Sequence, residues 1–239
     1  MKRVTDLQRL YGAIRKLDGA LGPSMTLSAI TPNNVAARGV YFFCEPGETR
    51  SQTGEGARIV RVGTHGLKIG ASSTLAGRLR QHRGKRDGGG NHRGSIFRLL
   101  TGDALIHSGE MDACHSWGSS GVAARSSNRS QAEKAAEVIL EKAVSVRLAT
   151  MNVVCLEVPD EPGPDSLRGW IERNAIALLS NFEKSPIDPP SASWLGHHSS
   201  RPRVRASGLW NQNHVDEEYD GDFLSDLEKL ADAQIARWG

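Results

Sequence analysis

The sequence predicts an α+β protein, a small three-stranded antiparallel sheet flanked by helices, with helical insertions and extra helices at the termini. Three observations lead there. Two short β-rich runs, 39–43 and 58–63, lie close enough to form a hairpin. A third apolar run, 152–158, follows a long helical pattern. The elements come in the order hairpin, helix, insert, strand, helix.

Residues 5–18 place Leu7, Leu10, Tyr11, Ile14 and Leu17 on one helical face, with Thr5 as a cap and Gly19, Gly22 and Pro23 as the stop. GVYFF (39–43) is aromatic and β-branched and reads as a strand, and 44–57 reads as a loop. RIVRVG (58–63) reads as a second strand, with Ile59 and Arg61 on one side and Val60 and Val62 on the other. A short helix is expected at about 73–83, then a loop at 84–94; 95–100 fits strand or helix. Residues 108–128 read as irregular. Ser130 and Glu133 form a capping box that opens a helix to about 148, with Ala136, Ile139, Leu140 and Ala143 inward. NVVCLEV (152–158) reads as a buried strand, 165–181 as a helix, 184–206 as a long ordered loop, and 222–237 as a last helix.

A chain of 239 residues suits one domain, 1–239, with a core at about 36–182, an N-terminal helix at 5–18, an insertion at about 95–150 and a C-terminal extension at 183–239. Apolar residues at 38% supply a core. No apolar run reaches the roughly 20 residues that span a bilayer, and MKRVTDLQRL has no signal-peptide core, so no membrane partner is expected. Cys44, Cys114 and Cys155 are scattered, which argues against a disulfide scaffold or zinc cluster and points to the cytoplasm. His197 and His198 have no third ligand at metal-binding spacing.

The net charge of +3 hides a local asymmetry. Between Arg78 and Arg98 there are seven Lys or Arg against one acid, Asp87. Such a stretch is either a solvated loop or a phosphate-binding surface. Arg78 and His82, four apart, share one helix face. Glu172 lies in a helix apolar on most sides, so its carboxylate needs a partner: a hard cation, or Arg168 one turn back.

Gly39-Val40-Tyr41 on the first strand, Arg61-Val62-Gly63 closing the second, LAGRLRQH with Arg78, and NVVCLEV leading into WIERNAIALL with Glu172 together resemble the GIY-YIG nucleases. The likeness covers about residues 39–182, with SGLWN beyond, and the Arg–His pair resembles restriction-enzyme members. It implies a GIY-YIG-like fold and a metal-dependent DNA endonuclease that hydrolyses phosphodiester bonds by a one-metal mechanism. Glu172 would hold Mg²⁺ or Mn²⁺, Arg78 would steady the transition state, and Tyr41, with His82, would take a proton from water. The family's late Asn maps to Asn211, with Asn181 as the alternative. Arg61 stands where the family has its second Tyr; Thr64 and His65 follow it. A phenol with a pKa of about 10 needs positive charge nearby to act as a base at neutral pH, and Arg61, Arg78 and the metal would supply it. Arg61, Arg80, Arg83, His92 and Arg93 are the expected DNA contacts, with RPRVR (201–205) a further one. The rival reading is a DNA-binding protein on the same fold that no longer cuts. Oligomeric state is open at this level.

Overall fold

The computed structural model describes residues 1–22, 25–119 and 128–238. The chain runs α1 (Lys2–Ala20), β1 (Met25–Thr26), β2 (Gly39–Thr49), β3 (Ala57–Gly63), α2 (Leu75–Arg83), α3 (Ile96–His107), α4 (Gln131–Ala149), β4 (Asn152–Glu157), α5 (Leu167–Leu179), α6 (Pro202–Ser207) and α7 (Phe223–Trp238). The sheet order is β1-β4-β2-β3, and every pairing is antiparallel.

β2 is central and buried on both faces. Val40 and Phe42 face a core built with α1, α5 and α7. Tyr41 and Phe43 face a second core with α2, α3, α4, Trp194 and Trp210. Side chains alternate along a strand, so one residue step separates the two layers. That alternation places Tyr41 on the α2 side.

Several elements differ from the sequence reading. The sheet has four strands, because Met25 and Thr26 pair with Val153 and Asn152; two residues are too few to show a period. β2 runs on to Thr49 through Glu45 and Glu48, whose charges suggested a loop. Glu45 accepts both indole N–H groups of Trp194 and Trp210, and Glu48 pairs with Arg58 at 2.6 Å. α1 begins before Thr5, with no side-chain cap. In β3, a register shift opposite Phe43 and Cys44 breaks the simple alternation. Ile59 and Val62 share one core, and Val60 falls in the other.

Residues 96–107 are helical, capped by Ser95, and 184–206 contains a 3₁₀ turn at Leu195–His198 and the start of α6. In the expected irregular stretch, 108–119 hold turns and bends, and 120–127 lie outside the described residues.

α4 is rotated from the expected orientation. Ile139 is 61% exposed, while Glu137 and Glu141 point inward. Glu141 pairs with Arg98 at 2.5 Å and with His92 at 3.0 Å; Glu137 pairs with Arg93 at 2.8 Å and with Arg129. Carboxylates with such partners take core positions that apolar side chains would otherwise fill.

Replacing Glu141 with Ala leaves the fully buried Arg98 guanidinium without its counter-ion. The expected loss is about 3–5 kcal/mol of stability, read as a lower urea midpoint; a loss under about 1 kcal/mol would show that the pair does not hold the insertion.

Candidate active site

Beyond the end of β3 a cleft of about 1090 Å³ opens between the segment that follows the strand, α2 and α5. Thr64, His65, Arg78, Arg80, Arg83 and Glu172 are among the residues that line it. Lys85 and Arg86 extend the basic wall, against the single carboxylate of Glu172. None of these five Arg and Lys side chains lies within ion-pairing distance of an acid among the described residues, although many acids elsewhere in the fold are paired.

Glu172 stands on α5, half-buried at the cleft. Its Oε1 accepts the Thr64 N–H at 3.2 Å. The Thr64 hydroxyl in turn donates to Gly39 O at 2.8 Å, which fixes the turn that presents the amide. Arg168 does not pair with Glu172; it is buried, bound to Asp160 and donating to His65 O at 3.0 Å. Burial pushes the Glu172 carboxyl above its ordinary range, with Arg61, His214, the Thr64 amide and Arg78 pulling it back. His65 is pushed down to about 4, first by burial and then by Arg168, and is neutral at physiological pH.

Behind the cleft wall lies Tyr41, 1% exposed. It pairs across the strands with Gly63, where any Cβ would land on the Tyr41 hydroxyl and ring. The glycine that ends β3 is therefore the space the phenol occupies. The Tyr41 hydroxyl hydrogen-bonds to His82 Nε2 at 2.9 Å, and His82 Nδ1 to the Ser95 hydroxyl at 2.8 Å. His82 is fully buried. Burial, then Arg61, Arg78 and Arg98, hold it well below its ordinary pKa, so it is neutral. Arg78 and His82 do share a helix edge, but only Arg78 reaches the cleft.

Arg61 is buried. It donates to Trp210 O, and its guanidinium lies 4.7 Å over the Phe97 ring. Its Nε has no partner among the described residues. Burial lowers its pKa, and the neighbouring Tyr41 and Glu172 raise it, so its charge is shared between phenol and carboxylate. The place of a second Tyr is thus taken by an internal cation, not by a surface DNA contact.

Other expected site residues fall elsewhere. Asn211 binds the β3 edge: its Oδ1 accepts from Val62 N at 3.1 Å and its Nδ2 donates to Val62 O at 2.9 Å. Asn181 ties Arg3 and Ile187 together. His92 is buried and stacked on Trp117 at 3.8 Å, and Arg93 is engaged by Glu137, so both are turned away from the cleft. Arg203 pairs with Asp216 and Arg205 donates to Ser199 O, while His197 bonds Ser191 O at 2.9 Å. Sequence reasoning missed Ser95, Arg98 and His214. Ser95 carries the signature of a helix cap, but the partner of its hydroxyl lies thirteen residues away. Among the described residues no group of three or more His, Cys, Asp or Glu forms a metal cluster, and no helix is long and apolar enough to cross a membrane.

The fold and cleft define an antiparallel α+β domain with one carboxylate in a basic pocket, backed by a buried tyrosine. The family model described as "GIY-YIG domain" matches residues 1–236, and the chain belongs to that family. Comparison with curated proteins and with solved structures gives no match.

Charging Glu172 costs stability, since its pKa is raised on folding. The penalty is present at neutral pH and vanishes as pH falls below the pKa of the unfolded chain, where both states are protonated. Glu172→Gln is expected to melt higher than the parent near pH 7, with the difference shrinking toward pH 4. A variant that melts lower at pH 7 would contradict the burial argument.

Proposed function

We propose that the chain is a divalent-metal-dependent DNA endonuclease. The observation that carries this reading is the Glu172 carboxylate. It is desolvated, holds one amide hydrogen bond, and faces a cleft walled by five cations without acidic partners. A hard cation prefers oxygen ligands and often takes one or two carboxylates with waters and substrate phosphate, so a lone glutamate fits Mg²⁺ or Mn²⁺. A bound cation would stabilise charge on the leaving oxygen and draw Glu172 into its ionised form.

The chain's own groups do the rest. Arg78 stands half-exposed at the cleft, its Nη1 donating to Gln81 and to Gly94 O. It is positioned to hold a non-bridging phosphate oxygen. Transfer of the attacking water's proton to Tyr41 as the new P–O bond forms, with the leaving alcohol protonated by solvent, requires the phenol, 1% exposed in the free protein, to open toward the cleft when DNA binds. His82 is too strongly desolvated to store a proton. In its neutral form the imidazole bridges the Tyr41 and Ser95 hydroxyls and so fixes the position of the phenol. The Ser95 oxygen also accepts from Arg98 N at 3.3 Å, which ties this line to the start of α3. Arg61 adds fixed positive charge beside Tyr41 and Glu172.

The second reading is DNA binding without cleavage, favoured by the near-complete burial of Tyr41 and by Arg61 in place of a phenol. Nicking of supercoiled plasmid separates the two. The parent should nick with Mg²⁺ or Mn²⁺ and stop with chelator, and Glu172→Ala should be about 10²-fold slower or worse. Equal cutting by Glu172→Ala would end the proposal; binding without nicking would select the second reading. Removing the Arg61 charge, as Arg61→Leu, should move the rising limb of the pH–rate profile to higher pH, while Arg61→Lys keeps it. Identical profiles for all three proteins would remove Arg61 from the chemistry.

A further inference from the structure

The basic stretch 78–98 divides when folded. Arg93 and Arg98 turn inward onto Glu137 and Glu141. Arg80, Arg83, Lys85 and Arg86 stay outside and form a ridge shared by two depressions. One is the active-site cleft. The other, about 690 Å³, lies between residues 28–32, the far side of α2 and the end of α4, where Ser145, Val146 and Ala149 form its wall.

The ridge is built rather than loose. Gly84, at φ 88°, ends α2 in a conformation that L side chains rarely adopt. The loop after it closes on itself: Lys85 N donates to Gly89 O at 2.7 Å and Gly88 N to Lys85 O at 3.1 Å. Asp87, the one acid of the stretch, accepts from Gly89 N at 2.8 Å. A Cβ on Gly90 would strike the Arg98 guanidinium, so the loop lies directly on that buried cation. Arg83 is steered toward the second depression by donation to Ile30 O at 3.1 Å. A cluster of cations without acidic partners, carried on a helix and a closed loop of fixed backbone, suits an extended polyanion.

We infer that a DNA strand entering the active-site cleft continues across this ridge, and that the groove between residues 28–32 and α4 is a second binding site for its phosphodiester backbone. This rests on the nuclease reading for the identity of the polyanion but not on cleavage. The groove binds phosphates outside the scissile one; the four ridge cations are common to both sites, and the α4 wall belongs to the second alone. Val146 is 70% exposed, so its side chain can be changed without cost to the core.

The test is binding of the full chain to a fluorescent duplex of about 24 base pairs by anisotropy, in chelator, across a salt series. Val146→Glu puts a carboxylate in the groove and should weaken binding about fivefold to tenfold with a shallower salt dependence; Val146→Lys should tighten it and steepen that dependence. Opposite shifts from one exposed position are not a folding defect. Ethylation interference should show a set of phosphates, displaced along one strand, that Val146→Glu loses while retaining those at the cleft. Unchanged affinity for both variants, a footprint confined to the cleft, or no DNA binding by the parent at low salt would each overturn the inference. Plasmid nicking by the same variants reads the nuclease proposal separately: binding shifts without nicking keep the groove and reject catalysis.

Discussion

A phenol hydroxyl sealed from water has to find a partner inside the protein, and at Tyr41 that partner is His82. Much of the α2 side of the domain follows from this one bond. The imidazole needs its second nitrogen satisfied, which Ser95 does at the start of α3. The carbonyl of His82 is held by Arg98 at 2.9 Å, one turn into the same helix. Arg98 brings a buried charge, and Glu141 from α4 answers it. The stretch between α2 and β4 is thus electrostatically wired to the strand that carries the tyrosine, not an appendage to it.

The other side of the sheet meets a different demand. Glu172 is placed by α5 in an apolar layer, against the grain of its charge, with a single amide to receive it. Arg61 reaches into the gap between the two layers and interacts with both the phenol and the carboxylate. A carboxylate held in such surroundings costs stability when it is charged. The two hydrophobic layers are divided by the sheet, with β2, β3 and β4 each giving side chains to both.

The order of motifs along the chain was enough to read the α+β class, most of the helices, the central hairpin and the placement of Arg78 and Glu172 at one cleft. Tyr41 could be assigned to a strand, but not to the inside of a hydrogen-bonded line, because its partners are 41 and 54 residues further on. The rotation of α4 escaped because Glu137 and Glu141 carry the wrong polarity for a core, and their arginines come from another segment. His92 and Arg93 looked like surface contacts for the same reason: composition reports charge, not its neutralisation. The two-residue β1 and the register shift in β3 leave no periodic trace at all.

The edge of β3 has a final consequence. Trp210 N donates to Val60 O at 2.7 Å, Arg58 to Gly208 O at 2.6 Å, and the Asn211 amide imitates a peptide unit against Val62. The outermost strand therefore presents few open ladder groups along this stretch. Neighbouring molecules find little there on which to add a strand, and a chain crowded at high concentration is protected from lateral polymerisation by its own C-terminal segment.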